Sequence, residues 1–271
     1  MKRAARELRT AREAVRFFTR WPLPSAAAFP EEIRWSMTYF PLIGWLAGGA
    51  GAAALWLASR FWPLPVAVGI SLGVTILFTG GLHEDGLADV CDGFGGGMSQ
   101  ERILAIMKDS RIGVFGSLGL LFSLLLKWLL LLSWGQNRGR GLDSTMIALL
   151  SAHALSRGSV CAVQSWLPYV GGDGSKARPL TEPLRGRRAS IAALFALTPL
   201  GYELATQRLP IFNGVFALLA VAAVASGLAF CFKRKIGGWT GDCLGAVQQI
   251  TELTFYLVGV AQWREGFGTL Q

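Results

Sequence analysis

Long apolar stretches dominate the chain, and short polar connections separate them. About twenty apolar residues are needed to span the hydrocarbon core of a bilayer. Roughly seven stretches meet this length, and they lie near 37–58, 63–82, 112–134, 144–168, 189–206, 211–232 and 240–261. No repeat and no separate soluble domain is visible between them. The pattern predicts an all-α fold, a polytopic integral membrane helical bundle of about seven transmembrane helices that forms one domain over residues 1–271.

The first 36 residues follow a different pattern. Leu8, Ala11, Val15 and Phe18 recur at helical spacing, and arginines occupy much of the opposite face. A basic helix with one apolar face is typical of a segment that lies on anionic lipid. We therefore expect an N-terminal interfacial amphipathic helix within residues 1–36. A solvated basic helix that only marks topology is the alternative.

The distribution of positive charge gives the predicted spans an orientation. With the N-terminus in the cytoplasm, the segments 1–36, 83–111, 169–188 and 233–239 are cytoplasmic and carry nineteen Lys and Arg, against five on the opposite side. This bias agrees with the positive-inside rule. We therefore expect a multi-pass protein whose N-terminus and polar segments face the cytoplasm. The net charge of +9 is then a topology and lipid-headgroup signal, and we expect no nucleic-acid partner.

Composition supports the membrane class. Of the 271 residues, 52% are hydrophobic and only 16% are charged, which is too apolar for an ordinary soluble domain. The four cysteines are widely spaced and form no CxxC pair. We therefore expect neither a disulfide framework nor a zinc site.

The segment 83–111 concentrates acidic residues. Four of the seventeen carboxylates lie within nine residues there, at Glu84, Asp85, Asp89 and Asp92. On a helix the three aspartates share one stripe at i, i+4 and i+7, and like charges stacked so closely require a counter-charge. Oxygen ligands without a His or Cys pattern point to Mg²⁺ or Mn²⁺. The pattern predicts that these four carboxylates form a metal-binding acidic segment, with a solvated acidic loop as the alternative.

The same segment continues into a short helix and a charged turn. Ser99 is expected to cap the helix. Asp109 is a further candidate metal ligand, and Lys108 and Arg111 are candidates for holding phosphate oxygens. Flanking charges at the boundary of a span are the equally weighted alternative.

Two of the predicted spans carry polar residues at membrane depth. In the fourth span, Arg157 is interpreted either as a phosphate clamp or as the partner of an intramembrane carboxylate. In the last span, Asp242 and Glu252 share a polar stripe, and we expect Asp242 in the active site, with Glu252 next. Pairing with Lys127 or Arg157 is the alternative for this stripe.

Several motifs resemble one known family. The runs GLHEDGLADVCDGF at 81–94 and MKDSRIGVFG at 107–116 are similar to the signature of the cobalamin synthases, the adenosylcobinamide-GDP ribazoletransferases. The same holds for FFTRWPLP at 17–24, YFPLIG at 39–44 and GWTGDCLGA at 238–246. The motifs occur in the same order and spacing over essentially the whole chain.

This resemblance implies an integral enzyme of the bacterial inner membrane that transfers substituted phosphate groups. Its expected substrates are adenosylcobinamide-GDP and α-ribazole or its 5′-phosphate, and its products are GMP and adenosylcobalamin or adenosylcobalamin 5′-phosphate, with Mg²⁺ as cofactor. The lipid bilayer is the other expected partner, and a homo-oligomer is left open.

A mechanism follows from the resemblance and from the residues together. Positioning and charge neutralisation supply most of the catalysis in phosphoryl transfer. Asp85, Asp89 and Asp92 would hold one or two Mg²⁺ ions, with Glu84 as a ligand or general base. The remaining candidates would complete the site or contact anionic substrate, and they are Asp109, Asp242, Lys108, Arg111, Arg157, Lys176 and Arg178.

Two rival functions share part of this pattern. A CDP-alcohol phosphotransferase would also bind a metal ion through carboxylates. Its signature opens as Asp89-Val-Cys-Asp92-Gly93 does, but the downstream residues of that signature are not matched. A cation transporter would place acids at mid-span and show paired broken helices in its two halves. The acidic segment instead lies at the boundary of a span.

Overall fold

The computed structural model describes residues 2–23, 30–136, 141–172 and 174–261. Within these ranges the chain forms helices and no β-strand, which confirms the predicted all-α class. The α-helices in chain order are α1 (Lys2–Phe18), α2 (Pro30–Arg34), α3 (Phe40–Ala58), α4 (Leu64–Thr79), α5 (Leu82–Gly96), α6 (Gln100–Met107), α7 (Val114–Gln136), α8 (Gly141–Trp166), α9 (Arg187–Ala205), α10 (Ile211–Ile236) and α11 (Gly241–Val260).

Each of the seven predicted spans coincides with a helix, but fewer than seven of these helices meet the requirements of a span. Across the described ranges, five are long and apolar enough to cross a membrane: α7, α8, α10, α11, and α3 together with the 3₁₀ turn before it. The pair α4 and α5 meets the test only when taken together. The polytopic membrane bundle is confirmed, with five or six candidate spans in place of about seven.

A sharp bend separates α4 from α5, and their axes differ by 88°. Gly80 and Gly81 both adopt left-handed backbone angles, with φ of 70° and 69°. The N–H of Gly81 donates to the carbonyl of Ile76 at 3.0 Å, which closes α4 as glycine typically closes a helix. The bend lays the acidic helix α5 across the bundle, where it packs against α7 and α11.

The centre of the bundle consists of α8 and α11. An 18-residue stretch of each is 72% buried, against 28% in α7 and α10, which therefore lie at the periphery. Glycines bring α3 against α8: a Cβ added at Gly44 would lie 2.3 Å from the carbonyl oxygen of His153, and one at Gly48 would lie 2.7 Å from that of Leu149. Close backbone approach through small residues is the usual packing of membrane helices.

The predicted amphipathic helix is present as α1, and its apolar face is divided between two surroundings. Phe18 is buried against Phe40, with ring centroids 4.2 Å apart. Leu8 is 74% exposed and lines an apolar groove together with Leu46 and Phe78. The helix thus packs on the bundle at its C-terminal end, and its contact with lipid stays a prediction.

Candidate active site

One cavity of about 270 Å³ receives residues from three of the four segments that were predicted to be cytoplasmic, and from Gly241 and Asp242 just after the fourth. It lies where α5 crosses the first turn of α11. Asp85 lines it from α5, Asp242 from α11, and Lys176 from the connection that follows α8. Phe18 and Phe40 line it from the N-terminal region. The polar segments therefore meet at one end of the bundle.

Glycine residues bring α5 and α11 into direct contact at this crossing. A Cβ added at Gly86 would lie 2.9 Å from both the Cα and the carbonyl oxygen of Asp242. A Cβ added at Gly245 would lie 3.2 Å from the Cα of Gly86. The absence of side chains at these two positions is what allows the backbones to touch. The contact places Asp242 beside the acidic face of α5.

The aspartates of the two helices form an acidic cluster. Three neighbouring negative charges act on Asp89: that of Asp242 has the strongest effect, and those of Asp85 and Asp92 follow. Asp85 also acts on Asp242. In the part of the chain that the structure describes, no Lys or Arg lies within ion-pair distance of Asp85, Asp89 or Asp242. The cluster is therefore a concentration of negative charge without a basic partner.

Two connections are joined at the rim of the cavity. The N–H of Trp239 donates to the carbonyl of Pro168 at 2.9 Å, and the N–H of Val170 donates to the carbonyl of Trp239 at 3.0 Å. Immediately after this bridge, Thr240 caps α11 by accepting the N–H of Cys243 at 3.3 Å. The connection after α8, which carries Lys176, is thus held beside the start of α11. The sequence did not predict this link.

Asp92, a predicted metal ligand, has both of its carboxylate oxygens engaged by backbone N–H groups. Oδ2 accepts the N–H of Gly113 at 2.7 Å, and Oδ1 accepts the N–H of Gly116 at 2.8 Å. The residue is only 9% exposed. Carboxylates are favoured partners of the free N–H groups at a helix N-terminus. Asp92 therefore anchors the first turn of α7, and its role as a metal ligand stays a prediction.

Glu84 also points away from the cavity, into the interior of the bundle. Its Oε1 accepts a hydrogen bond from the amide of Gln249 at 2.9 Å. Its Oε2 is buried, and no hydrogen-bond partner for it lies among the described residues. Glu84 is predicted as a ligand or general base, and this orientation places its carboxylate in a different group of residues from Asp85.

That interior group is a buried polar network between α7, α8 and α11. Lys127 Nζ lies 3.1 Å from Glu252 Oε1 and donates to Gln249 Oε1 at 2.9 Å. Arg157, which is 1% exposed, contacts the ring and the carbonyl oxygen of His153, both at 3.0 Å. For Glu252 the structure thus supports pairing with Lys127. For Arg157 it favours the structural interpretation, because the guanidinium has no access to a phosphate in the cavity.

The charged turn after α6 lies beside a second cavity, of about 440 Å³. Asp109 and Arg111 line it, together with Arg102, which is not among the predicted site residues. Arg111 Nη2 donates to Asp109 at 2.7 Å, and this hydrogen bonding lowers the pKa of Asp109 to about 2. Asp109 is therefore ionised at neutral pH and paired with Arg111.

The remaining predicted basic residues lie near the rim. The Nζ of Lys108 lies 3.5 Å from where a Cβ at Gly172 would be, so Lys108 reaches the connection after α8. The guanidinium of Arg178 lies over the ring of Tyr169, 5.9 Å from its centroid. Of the predicted basic residues, only Lys176 lines the same cavity as Asp85 and Asp242.

The fit of a divalent cation can be tested on these positions. Among the described residues, no three His, Cys, Asp or Glu side chains are already arranged as a metal-binding group. Asp85, Asp89 and Asp242 nevertheless supply the carboxylate oxygens that Mg²⁺ prefers, and their mutual repulsion is relieved by a bound cation. Their chemistry fits Mg²⁺, whereas the carboxylates of Glu84 and Asp92 are directed to other partners.

Comparisons with known proteins agree with one another. A family profile described as cobalamin-5-phosphate synthase matches residues 10–260. A relative from Ralstonia nicotianae, named adenosylcobinamide-GDP ribazoletransferase, is 44% identical over 243 residues, which is 89% of this chain and 90% of the relative. Proteins with the same name from Leptothrix cholodnii and Shewanella amazonensis are 42% and 38% identical, covering 90% and 96% of this chain and 92% and 98% of the relatives. No solved structure matches the chain.

The profile covers most of the chain, and the relatives match it over nearly their whole length. The motifs at 81–94 and 238–246 supply residues that line the cavity of about 270 Å³, and the motif at 107–116 lines the cavity of about 440 Å³. The resemblance in the sequence and the crossing of α5 with α11 therefore concern the same part of the molecule. The chain belongs to the cobalamin-5-phosphate synthase family.

Proposed function

We propose that the protein is an adenosylcobinamide-GDP ribazoletransferase. It joins adenosylcobinamide-GDP to α-ribazole or α-ribazole 5′-phosphate, and it releases GMP with formation of adenosylcobalamin or its 5′-phosphate. The observation that carries the proposal is the meeting of Asp85, Asp89 and Asp242 at the crossing of α5 and α11. The name shared by the relatives supplies the substrates.

The reaction breaks the phosphoanhydride bond of a pyrophosphate and forms a phosphodiester. A ribazole hydroxyl attacks the phosphorus attached to cobinamide, the bond from that phosphorus to the oxygen of GMP breaks, and the hydroxyl proton passes to a base. Asp85, Asp89 and Asp242 would hold Mg²⁺, which when bound neutralises charge on the pyrophosphate oxygens. We assign the ligand set to these three residues, because Asp92 and Glu84 are engaged elsewhere.

Lys176 is the basic residue that we assign to the substrate. It lines the cavity together with Asp85 and Asp242, so its ammonium group can contact a substrate phosphate that lies in this cavity. Arg178 lies on the same connection as Lys176, Lys108 lies at the end of α6 beside this connection, and both would contact the outer part of the substrate. Positioning by such contacts is the main source of rate enhancement in phosphoryl transfer.

We also propose that the site faces the cytoplasm from the bacterial inner membrane. Three of the four Lys- and Arg-rich segments, 1–36, 83–111 and 169–188, line the cavity, and the fourth ends just before Gly241 and Asp242, which also line it. Positive residues are retained on the cytoplasmic side during membrane insertion. This orientation gives a soluble nucleotide-linked substrate direct access to Asp85 and Lys176.

The test is a GMP-release assay on purified protein in phospholipid vesicles. Adenosylcobinamide-GDP is supplied with either ribazole form, with and without Mg²⁺, and a CDP-alcohol is supplied in parallel. We expect Mg²⁺-dependent GMP release and no reaction of the CDP-alcohol. Turnover of the CDP-alcohol alone would contradict the proposal.

The matched variants are Asp89→Asn and Glu101→Gln. Asp89 belongs to the acidic cluster, whereas Glu101 is an exposed carboxylate in the first turn of α6. Loss of one electrostatic contact in a transition state typically costs about 10²–10³-fold in rate. We expect a loss of at least about 100-fold for Asp89→Asn and none for Glu101→Gln. Near-normal turnover of Asp89→Asn in folded protein would refute its assignment to the site.

A further inference from the structure

An apolar groove of about 510 Å³ runs between α8, α9 and α10, outside the candidate active site. Small side chains form its walls, among them Gly158 on α8, Ala192 and Ala196 on α9, and Ala222 and Ala225 on α10. Two of these helices are candidate membrane spans. A groove with apolar walls at this depth is complementary to a hydrocarbon chain and to no polar ligand.

The connection that leads into α9 lines this groove and also lines a separate cavity, which we call the basic cavity. Leu184 and Ala189 line the groove. The basic cavity, of about 520 Å³, is lined by three arginines that lie between these two residues in the sequence: Arg185, Arg187 and Arg188. One short segment, residues 184–189, therefore contributes apolar side chains to the groove and basic side chains to the neighbouring cavity.

Two of the charged residues that line the basic cavity have partners within the protein. Arg188 is engaged by the ring of Trp35, 4.3 Å from its centroid, and by Glu7 at 3.9 Å. Glu182 also lines this cavity, but it pairs with Arg34.

The two other arginines are different. Arg185 and Arg187 are both exposed. Across the ranges described for this chain, neither guanidinium lies within ion-pair distance of a carboxylate. Two guanidinium groups are thus available to an anion in the basic cavity.

Polar side chains of α8 hold the connection that leads into α9 in place. The amide of Gln164 donates to the carbonyls of Leu180 and Glu182, at 2.7 Å and 3.0 Å. The hydroxyl of Ser165 accepts the N–H of Leu184 at 2.9 Å. These bonds fix the connection against the bundle before any ligand binds, which reduces the entropy lost on binding.

We propose that this surface binds one anionic phospholipid. Arg185 and Arg187 would contact the headgroup phosphate, and an acyl chain would lie in the groove between α8, α9 and α10. Basic pockets between membrane helices recognise anionic headgroups in this way. Lining of the apolar groove and of the basic cavity by the same short segment favours a lipid, which has both an acyl chain and a charged headgroup. A soluble phosphate would use the arginines alone, and a second copy of the chain would use the groove alone.

The first test measures lipid selectivity by native mass spectrometry. The protein is equilibrated with vesicles of phosphatidylcholine and phosphatidylglycerol, extracted into detergent, and its retained lipids are counted. We expect one retained phosphatidylglycerol on the wild type. In Arg185→Gln/Arg187→Gln, the preference for phosphatidylglycerol over phosphatidylcholine should fall by roughly fivefold per arginine removed.

The matched control for charge is Arg234→Gln/Lys235→Gln. These residues are exposed in the last turn of α10, so the control removes the same charge away from the groove. We expect it to leave the preference unchanged. An equal fall in both double variants would mean that selectivity follows net charge, and it would overturn the proposal.

The second test fills the groove. Ala222→Phe places a ring in it, whereas Ala223→Phe places the same ring at an exposed position of α10 that does not line the groove. We expect Ala222→Phe to lower the retention of both lipids and Ala223→Phe to lower neither. Three results would overturn the proposal: unchanged retention in Ala222→Phe, equal competition by inorganic phosphate in all variants, or a wild-type dimer that Ala222→Phe dissociates without any change in lipid retention.

Discussion

At the scale of single residues, Asp92 and two glycines form one structural unit. Its carboxylate accepts the N–H groups of Gly113 and Gly116, and a Cβ added at these glycines would lie 2.4 Å and 2.3 Å from the carboxylate oxygens. The motif around residues 107–116 therefore needs glycine where Asp92 approaches α7. This requirement explains both glycines without any role in chemistry.

The substitution Asp92→Asn tests this anchoring role. An amide keeps one acceptor but turns its NH₂ group toward a backbone N–H, which leaves a buried donor unsatisfied at a cost of about 1–3 kcal/mol. We expect a lower unfolding temperature in detergent and faster hydrogen exchange of the amides of Gly113 and Gly116. If stability and exchange are unchanged while the affinity for Mg²⁺ falls, Asp92 is a ligand, as the sequence alone indicates.

The sequence predicts residue roles well where the partner is local. Ser99 is expected to cap the following helix, and its hydroxyl accepts the N–H of Arg102 at 3.3 Å. The partners of Asp92 lie more than twenty positions away, so their contact depends on how α5 and α7 pack. Glu84 is similar, because its partner Gln249 belongs to the last helix.

At the scale of helices, Lys127 links α7 to α11 inside the bundle. Its ammonium group pairs with Glu252 at 3.1 Å, and both side chains are almost fully buried. Removal of one member of a buried pair typically costs about 3–5 kcal/mol, because the other charge remains without its partner. We expect Lys127→Met to lower the free energy of unfolding by about this amount, as measured by denaturant titration in detergent micelles.

Two further variants identify the cause of that loss. Lys233→Met makes the same change at an exposed position in the last turn of α10, and we expect it to be nearly neutral. Lys127→Met/Glu252→Gln removes both charges, and it should be less destabilising than Lys127→Met alone. Equal losses in the single and the double variant would argue against the ion pair.

The contact between α5 and α11 gives a prediction on the same scale. A methyl group at Gly86 would collide with the backbone of Asp242, whereas one at Gly73 on α4 would meet no atom within 4 Å. Alanine favours helix over glycine, so Gly73→Ala should be neutral or stabilising. We expect Gly86→Ala to lower GMP release strongly by moving Asp242 away from α5. Normal turnover of Gly86→Ala would show that the spacing of these helices is not needed.

The positions of the helices follow from the apolar stretches, but the direction of α5 does not. Its four carboxylates suggest a segment outside the bundle, because isolated acidic residues are rarely buried. The structure instead buries one side of this helix, at Gly86, Leu87 and Ala88. The bend at Gly80 and Gly81 makes this possible, and two consecutive glycines are the signal in the sequence for it.

At the scale of the whole molecule, the polar segments lie together at one end of the bundle. Charge distribution predicts that they share a side of the membrane, since lysine and arginine are retained in the cytoplasm. It does not predict that they line a common cavity, because that depends on the crossing of α5 with α11. The arginines at 138, 140 and 264 that entered the charge count lie outside the described residues.

Cysteine labelling in intact cells tests the orientation. Gly174→Cys lies on the connection that lines the cavity and meets no atom within 4 Å, whereas Arg60→Cys lies at the opposite end of α3, and both positions are exposed. With an impermeant maleimide, we expect Arg60→Cys to react at once and Gly174→Cys to react only after the membrane is permeabilised. The unsubstituted protein controls for the four native cysteines, and the reverse pattern would place the site outside the cell.

The crossing of α5 with α11 also has a consequence for biogenesis. Asp85 and Asp89 are synthesised about 150 residues before their partner Asp242, which belongs to the last of the described helices. Until α11 has entered the membrane, the acidic face of α5 lacks the surface against which it packs. The acidic cluster is therefore complete only after α11 has been inserted, and a chain that ends before α11 holds most of the described helices without it.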